Sequence, residues 1–187
     1  MRANYTYRRQ QNICRLILSI FSSKWFSFPW TYKIRIKAYQ KFFNIEENPI
    51  IEHDVWITRT HGLEGKIKIG NNVTLAKNVF IDYSGNVIIE DGVLLASGVK
   101  IESHYRDIDA YLAGKNINIP SSVLIREKAF IGTNAIILPP CKYIGKNSRI
   151  GAGAVVVSDV PDNAVVVGVP AKIVKYINFS EDEVNNE

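Results

Sequence analysis

Residues 69–101 read IGNNVTLAKNVFIDYSGNVIIEDGVLLASGVKI, and in this stretch an aliphatic residue returns every six positions, with a single eight-residue step. The spacing continues in both directions, from Ile51 to Val156, and gives fifteen anchor positions that are all Ile, Leu or Val. A six-residue period is neither that of a helix nor that of a plain alternating strand. It is the period of a short strand, a corner and another short strand. We therefore predict a β-solenoid whose coils bury their anchors by stacking.

The strand geometry predicts how each coil is filled. Even spacing keeps the strand alternation in phase, so every anchor points into the interior. The residue four positions after an anchor is Val, Ala, Ser, Cys or Gly in twelve of the fifteen repeats. It also points inward, near a corner where little room remains. Three strands close a triangular coil of about eighteen residues, and the first coil would place Ile51, Ile57 and Leu63 on its three faces.

One interruption of the repeat is long. The 24-residue gap between Ile101 and Ile125 skips no face, so it predicts an extended loop over residues 103–122 at the third corner. Ordinary connections have about 4–6 residues, and long loops in compact domains are usually functional. His104 lies where this loop leaves the solenoid. An imidazole has an ordinary pKa near neutrality, which makes His104 the first candidate for a general base.

The pattern resembles the hexapeptide-repeat acyltransferase family, and is similar to the sugar and antibiotic O-acetyltransferases within it. The resemblance covers about residues 51–177 and includes His104 before the long loop and the tail segment Gly168-Val-Pro-Ala-Lys172. It implies a mostly β fold, a single-stranded left-handed parallel β-helix of about five coils. It also implies an acetyl-CoA-dependent O-acetyltransferase acting on a sugar or glycan hydroxyl. His104 would be the general base, with direct transfer in a ternary complex.

The resemblance also implies the other site residues. Asp82 follows the third-face anchor of the coil before His104, and the family uses an acidic residue there to bind the acceptor or orient the site. Asn78 and Tyr83 are expected to contact the acceptor. The expected contacts to CoA, which would be the co-substrate, come from Thr133, Ala152, Ser158, Lys172 and Lys175. The two lysines would meet the CoA phosphates as point charges, and no metal is required.

The same resemblance implies a homotrimer with its site between neighbouring prisms. Its partners would be further copies of itself, acetyl-CoA and a small sugar or glycan acceptor, as in polysaccharide biosynthesis. Amine acceptors and other acyl donors stay open, because the same base serves an amino group. The alternative function is a catalytically silent β-helix scaffold or membrane-attached assembly protein.

Two further chemistries are disfavoured by the residues present. The three histidines are His53, His61 and His104, and their spacing does not bring them to one zinc ion. Cys141 falls on a small inward position, which indicates a buried filler and not a nucleophile. No motif supports nucleic-acid binding.

Charge and aromatic content set residues 1–50 apart from the solenoid. They hold nine Lys or Arg against two Glu and eleven of the twenty aromatic residues. We expect a partly helical cap over residues 1–50, the β-helix over 51–168 and a short C-terminal element over 169–187. A basic amphipathic helix with aromatic residues also suits an anionic membrane surface, and the cap is the favoured alternative. We expect no secretory signal, since the apolar run of residues 13–21 is interrupted by Arg15. We therefore expect a cytoplasmic location, either free or peripheral at the inner face of the membrane.

Overall fold

The computed structural model describes residues 16–24, 28–60 and 62–178. Residues 16–22 form helix α1, and helix α2 runs over Pro29–Phe42. Pro29 suits the first turn of α2, because the N–H that proline lacks has no intrahelical partner there. Helix α2 ends where Phe43 turns to an extended conformation. Within the described ranges, no helix is long and apolar enough to cross a membrane.

The remainder is mostly a parallel β-solenoid with three faces. The first face contains β1 (Asn44–Ile45), β4 (Ile67–Ile69), β7 (Val87–Ile89), β12 (Val123–Ile125) and β15 (Tyr143–Ile144). The second face contains β2 (Ile50–Ile51), β5 (Thr74–Leu75), β8 (Leu94–Leu95), β13 (Phe130–Ile131), β16 (Arg149–Ile150), β18 (Ala164–Val167) and β19 (Lys172–Tyr176). The third face contains β3 (Trp56–Thr58), β6 (Phe80–Asp82), β9 (Lys100–Ile101), β14 (Ile136–Ile137) and β17 (Val155–Val156). These strands make five complete coils, and β18 begins a sixth turn.

The anchors form columns through the interior, as the six-residue period predicts. On the first face Ile69 pairs in register with Ile89, and Ile89 with Ile125. All three are at most 1% exposed. A fully buried side chain of this size contributes about 1.5–3 kcal/mol, so the columns are the main source of the solenoid's stability.

The predicted register of the first coil is wrong. Ile51 pairs with Leu75 on the second face, and Ile57 pairs with Ile81 on the third. Leu63 lies outside the strands and is only half-buried. It belongs to a loop over residues 59–66, which lengthens the third corner by about six residues. Because this is the length of one repeat, the aliphatic residues on either side of the loop keep their six-residue spacing. The first face of the lowest coil is supplied instead by Ile45, so the solenoid begins near residue 44 and not at 51.

Helix α2 covers the lowest coil. Tyr39 is 1% exposed and its hydroxyl donates to the Val55 carbonyl. Burial raises the pKa of this phenol to about 12. Arg35 is also buried, and its guanidinium donates to the carbonyls of Phe21 and Ile51. These contacts tie the described part of the predicted N-terminal cap to the open end of the prism.

The long loop forms a projecting arm over residues 103–122. Its two stems are β10 (His104–Arg106) and β11 (Asn118–Pro120), which pair antiparallel. Helix α3 (Ile108–Leu112) lies at the tip, and the Asp107 side chain caps it by accepting from the Ala110 N–H at 2.9 Å. At the top of the prism, β19 turns back antiparallel to β18. The described part of the predicted C-terminal element therefore contains an exposed strand, while residues 179–187 lie outside the described residues.

Candidate active site

Two neighbouring strands of the third face bring the candidate catalytic residues together. Strands β6 and β9 pair in register, with Ile81 opposite Ile101. The residues that follow these anchors therefore meet at one corner of the prism. Asp82 is at the end of β6, and His104 begins the arm that leaves the same corner after β9.

The Asp82 carboxylate is buried and forms a hydrogen bond with the Nδ1 atom of His104. Asp82 is 2% exposed, and its Oδ2 lies 2.6 Å from His104 Nδ1. Ser103 donates to the same oxygen from its backbone N–H at 3.1 Å. Ser84 donates to Oδ1 from its N–H at 3.2 Å and also from its hydroxyl. Because an ionised carboxylate only accepts hydrogen bonds, Nδ1 carries a proton, and in the neutral imidazole Nε2 is then the nitrogen with the lone pair.

Thr60 is a site residue that the sequence analysis missed. Its Oγ1 lies 3.2 Å from His104 Nε2, and its N–H donates to Ser84 Oγ at 2.8 Å. Thr60 lies in the 59–66 loop, which the repeat pattern assigned to a strand. No signal in the sequence connects it to His104, since the two are 44 residues apart.

A glycine fixes the backbone beneath the histidine. The Gly85 N–H donates to Ser103 Oγ at 2.9 Å. A Cβ at Gly85 would lie 2.3 Å from the Ser121 carbonyl oxygen, which is a clash with backbone. The two ends of the arm, Ser103 and Ser121, can therefore close over residue 85 only because it is glycine.

A second acidic group, Glu102, lies beside the pair of Asp82 and His104. Burial and, second, the nearby Asp82 charge raise the pKa of the Glu102 carboxyl, against the opposing effect of His104. Glu102, Asp82 and His104 offer three potential metal-ligand atoms within 4.8 Å of one another. A metal ion bound to all three would compete with the hydrogen bonds that Asp82 already accepts. The donor set fits a hydrogen-bonded acid–base pair more closely than a metal centre.

A groove of about 580 Å³ opens on the first face next to this corner. Phe43 and Tyr83 meet edge to face on its wall, with ring centroids 6.0 Å apart. Lys66 and Asn86 also line it. Tyr83 directly follows Asp82, so the groove begins beside the corner that holds Asp82 and His104. The structure thus places the predicted acceptor residue Tyr83 near the pair.

Within one chain the structure does not bring Asn78 to His104, so its contact with the acceptor stays a prediction. Asn78 lies at the opposite end of β6, in the corner between the second and third faces. Its N–H donates to the His53 carbonyl at 3.3 Å, and its φ of 57° serves the turn, a conformation that Asn tolerates. The four residues to Asp82 span about 13 Å of strand.

The predicted CoA contacts lie on separate parts of the prism. Thr133 and Ala152 are exposed at the corner between the second and third faces. Ser158 is exposed at the edge that also carries His104, two coils above it. Lys172 and Lys175 are exposed on β19. One chain therefore does not gather all five residues into a single groove.

Two other sequence-based expectations concern residues away from this corner. Cys141 is 1% exposed, and burial raises the pKa of its thiol to about 12, so it is a buried filler as predicted. His53 lies at the corner before β3 and pairs with Asp54 at 2.8 Å. It is therefore separated from His104 by the third face, while His61 lies outside the described residues.

Comparisons with known proteins agree on one kind of enzyme. No family model matches the sequence. The chain is 31% identical over 139 residues to the galactoside O-acetyltransferase of Escherichia coli strain K12, covering 74% of this chain and 66% of that protein. The chain spans about half to two thirds of the length of the curated galactoside and serine acetyltransferases that it matches.

Solved structures match over more of the chain. A crystal structure of a maltose O-acetyltransferase from Clostridium difficile 630 has a TM-score of 0.70 and 28% identity, and the match covers 91% of this chain and 88% of that one. A galactoside acetyltransferase in complex with coenzyme A has a TM-score of 0.68 and 25% identity, covering 88% of this chain and 83% of that one.

Proposed function

Because the chain belongs to the hexapeptide-repeat acyltransferase family, whose fold is the left-handed parallel β-helix, we propose that it is an acetyl-CoA-dependent O-acetyltransferase. Its acceptor would be a hydroxyl of a sugar or glycan. The observation that carries this proposal is the 2.6 Å contact between Asp82 Oδ2 and His104 Nδ1 at the root of the arm. The coenzyme A bound to the galactoside acetyltransferase supports the donor.

The geometry suits His104 to act as a general base. Asp82 holds the tautomer whose Nε2 lone pair accepts the proton of the acceptor hydroxyl. The acceptor oxygen attacks the thioester carbonyl, and the C–S bond breaks as the tetrahedral intermediate collapses. The imidazolium of His104 returns the proton to the departing CoA sulfur. Asp82 stabilises that imidazolium, since the two groups then carry opposite charges at hydrogen-bond distance.

The groove beside Tyr83 supports a saccharide as acceptor. Phe43 and Tyr83 offer apolar ring surface on which the C–H face of a sugar ring packs, while Lys66 and Asn86 supply polar contacts. Ligand sites commonly combine apolar walls with a few polar groups in this way. A sugar held there would place one of its hydroxyls towards the corner where His104 lies.

The donor site would be completed by a second copy of the chain. Thr133 and Ala152 lie on one edge of the prism and Ser158 on another, so they can line one CoA channel only where edges of two prisms face each other. This supports the homotrimer implied by the family resemblance. Each neighbouring prism would then supply one wall of the site.

An acceptor screen that follows CoA release tests the proposal. Sugars, sugar phosphates, nucleotide sugars and amines are offered with acetyl-CoA, and mass spectrometry identifies the acetylated product. A hydroxyl-bearing sugar should support turnover, whereas an amine as the sole acceptor would establish N-acetylation instead. If no acceptor supports turnover and CoA does not raise the Tm, the alternative of a silent scaffold is supported.

For the N-terminal region we propose contact with the inner face of a membrane, which would make the protein peripheral in the cytoplasm. The supporting observation is a set of exposed apolar side chains on and next to α1 and α2: Leu16, Ile20, Phe28 and Ile34. Basic residues of the same segment suit an anionic lipid surface. Flotation with anionic liposomes at low salt tests this, and absence of binding there would contradict it.

A further inference from the structure

Four residues at the corner that holds Asp82 and His104 form a closed ring of hydrogen bonds, which passes through one backbone N–H, that of Thr60. His104 Nδ1 bonds Asp82 Oδ2, and Asp82 Oδ1 accepts from the Ser84 hydroxyl. Ser84 Oγ accepts from the Thr60 N–H. The ring closes where Thr60 Oγ1 meets His104 Nε2 at 3.2 Å. Nε2 is the atom that the proposed reaction uses, so the Thr60 hydroxyl occupies the place that the acceptor hydroxyl must take.

This placement bears on a competing reaction. A histidine base with an open lone pair next to a bound thioester can take a proton from water as readily as from a sugar. The resulting hydroxide adds to the thioester carbonyl, the C–S bond breaks, and CoA leaves as the thiol with the proton held by His104. The products are acetate and CoA, and the acetyl group is lost. A transferase avoids this loss only if water is kept from the base until the acceptor arrives.

We propose that Thr60 is a positioning residue whose hydroxyl is hydrogen-bonded to His104 Nε2 while no acceptor is bound. It thereby favours transfer of the acetyl group to the acceptor over hydrolysis of acetyl-CoA. The inference rests on the proposed function, since it concerns the same base. The acceptor hydroxyl displaces Thr60 Oγ1 from Nε2 and takes over the hydrogen bond. Water is disfavoured in this exchange, because it lacks the groove contacts that bind a sugar.

The surrounding structure suits Thr60 to this task. Its segment is pinned on one side by the pairing of Thr58 with Asp82 in β3 and β6. On the other side, the Arg59 guanidinium donates to the Gly65 carbonyl at 3.3 Å and lies 5.7 Å from the Tyr83 ring centroid. The backbone of Thr60 is further held by its N–H bond to Ser84. A rotation of the Thr60 side chain is therefore enough to free Nε2 without moving the loop.

The test compares Thr60→Ala with Thr60→Ser, because both retain the backbone N–H that holds Ser84. Acetate and CoA are measured without acceptor, and acetylated product is measured with it. Thr60→Ala should raise the ratio of hydrolysis to transfer by about tenfold or more, whereas Thr60→Ser should stay near the wild-type ratio. The added hydrolysis should disappear in the double variant Thr60→Ala with His104→Ala, since it depends on the same base. Thr74→Ala, on the second face, is the matched control, and Thr60→Gly replaces Thr60→Ala if that variant does not fold.

The outcomes separate this inference from the proposed function. If the wild-type enzyme transfers acetyl groups and a folded Thr60→Ala shows an unchanged ratio, the role of Thr60 is wrong and the acetyltransferase proposal stands. If Thr60→Ala loses transfer without gaining hydrolysis, Thr60 only orients the acceptor, and shielding is again wrong. If neither protein releases CoA under any condition, both proposals fall.

Discussion

At the scale of single residues, the site depends on a carboxylate that never reaches the surface. Asp82 is 2% exposed and accepts from His104, Ser84 and Ser103. A buried charge needs such donors, because leaving water without them costs several kcal/mol. This favours an orienting role for Asp82 over direct binding of the acceptor, the two alternatives that the sequence left open.

Asp82→Asn should lower kcat by about 100-fold or more. The amide keeps the shape of the carboxylate but carries no charge to stabilise the imidazolium. Its NH₂ group is itself a donor, so it cannot accept the hydrogen bonds that one of the Asp82 oxygens receives. Steady-state kinetics of acetyl transfer measure the effect. Asp91→Asn is the control, since Asp91 is exposed and bonds Asn71 away from the site. Equal rates for both variants would remove Asp82 from the mechanism.

Glu102→Gln should change how stability depends on pH. Folding raises the pKa of the Glu102 carboxyl above its ordinary 4.5, chiefly by burial. Such a carboxyl stabilises the folded state at pH values below its pKa in the unfolded chain. This stabilisation is lost as the pH rises through its pKa in the folded protein. Glu102→Gln should therefore have a higher Tm than the wild type at pH 7 and nearly the same Tm at pH 4. A thermal melt series checks this, and a difference that grows towards low pH would have the wrong sign.

At the scale of elements, the solenoid tolerates only small groups at its inner corners. Ser148 occupies one of these positions and is fully buried. Among the described residues, its Oγ has no hydrogen-bond partner. Ala129 and Ala164 take the equivalent places on the coils below and above, and both are buried. The position therefore needs a small side chain and gains nothing from a hydroxyl.

Ser148→Ala should raise the free energy of unfolding by about 1 kcal/mol, because it removes a buried and unsatisfied hydroxyl. Ser103→Ala is the matched comparison, since Ser103 is equally buried but accepts from Gly85 and donates to Asp82. That variant should be destabilised. Urea unfolding of both proteins gives the two values, and a loss of stability in Ser148→Ala would show that its hydroxyl does have a partner.

The repeat predicted the strands it is made of and the arm over residues 103–122, but not the loop over residues 59–66. Anchors such as Ile81 and Ile101 are buried and in register as expected, because a fixed period reports strand alternation directly. The same period hid the 59–66 loop, since an insertion of one repeat length leaves the count intact. Thr60 was missed for this reason. The pairing of Asp82 with His104 could be predicted, because both follow anchors of one face.

At the scale of the whole molecule, the separation of the predicted CoA contacts over two edges of the prism predicts assembly. Sedimentation equilibrium should give three times the mass of one chain. In a second experiment, His104→Ala chains are mixed with chains altered at the edge that carries Thr133 and Ala152, and part of the activity should return. The restored site would combine an intact His104 from one chain with an intact opposite wall from another. A fully active monomer would show that one prism is sufficient.

The central claim is that His104 is the base of an acetyl transfer, and one comparison tests it most directly. Wild type, His104→Ala and His53→Ala are assayed for acetylated product by mass spectrometry with the best acceptor from the screen. His53 is the matched control, as it is also a half-buried histidine paired with an aspartate. We predict that His104→Ala loses activity by about 100-fold or more while His53→Ala keeps it. Wild-type rates in a folded His104→Ala protein would contradict the account.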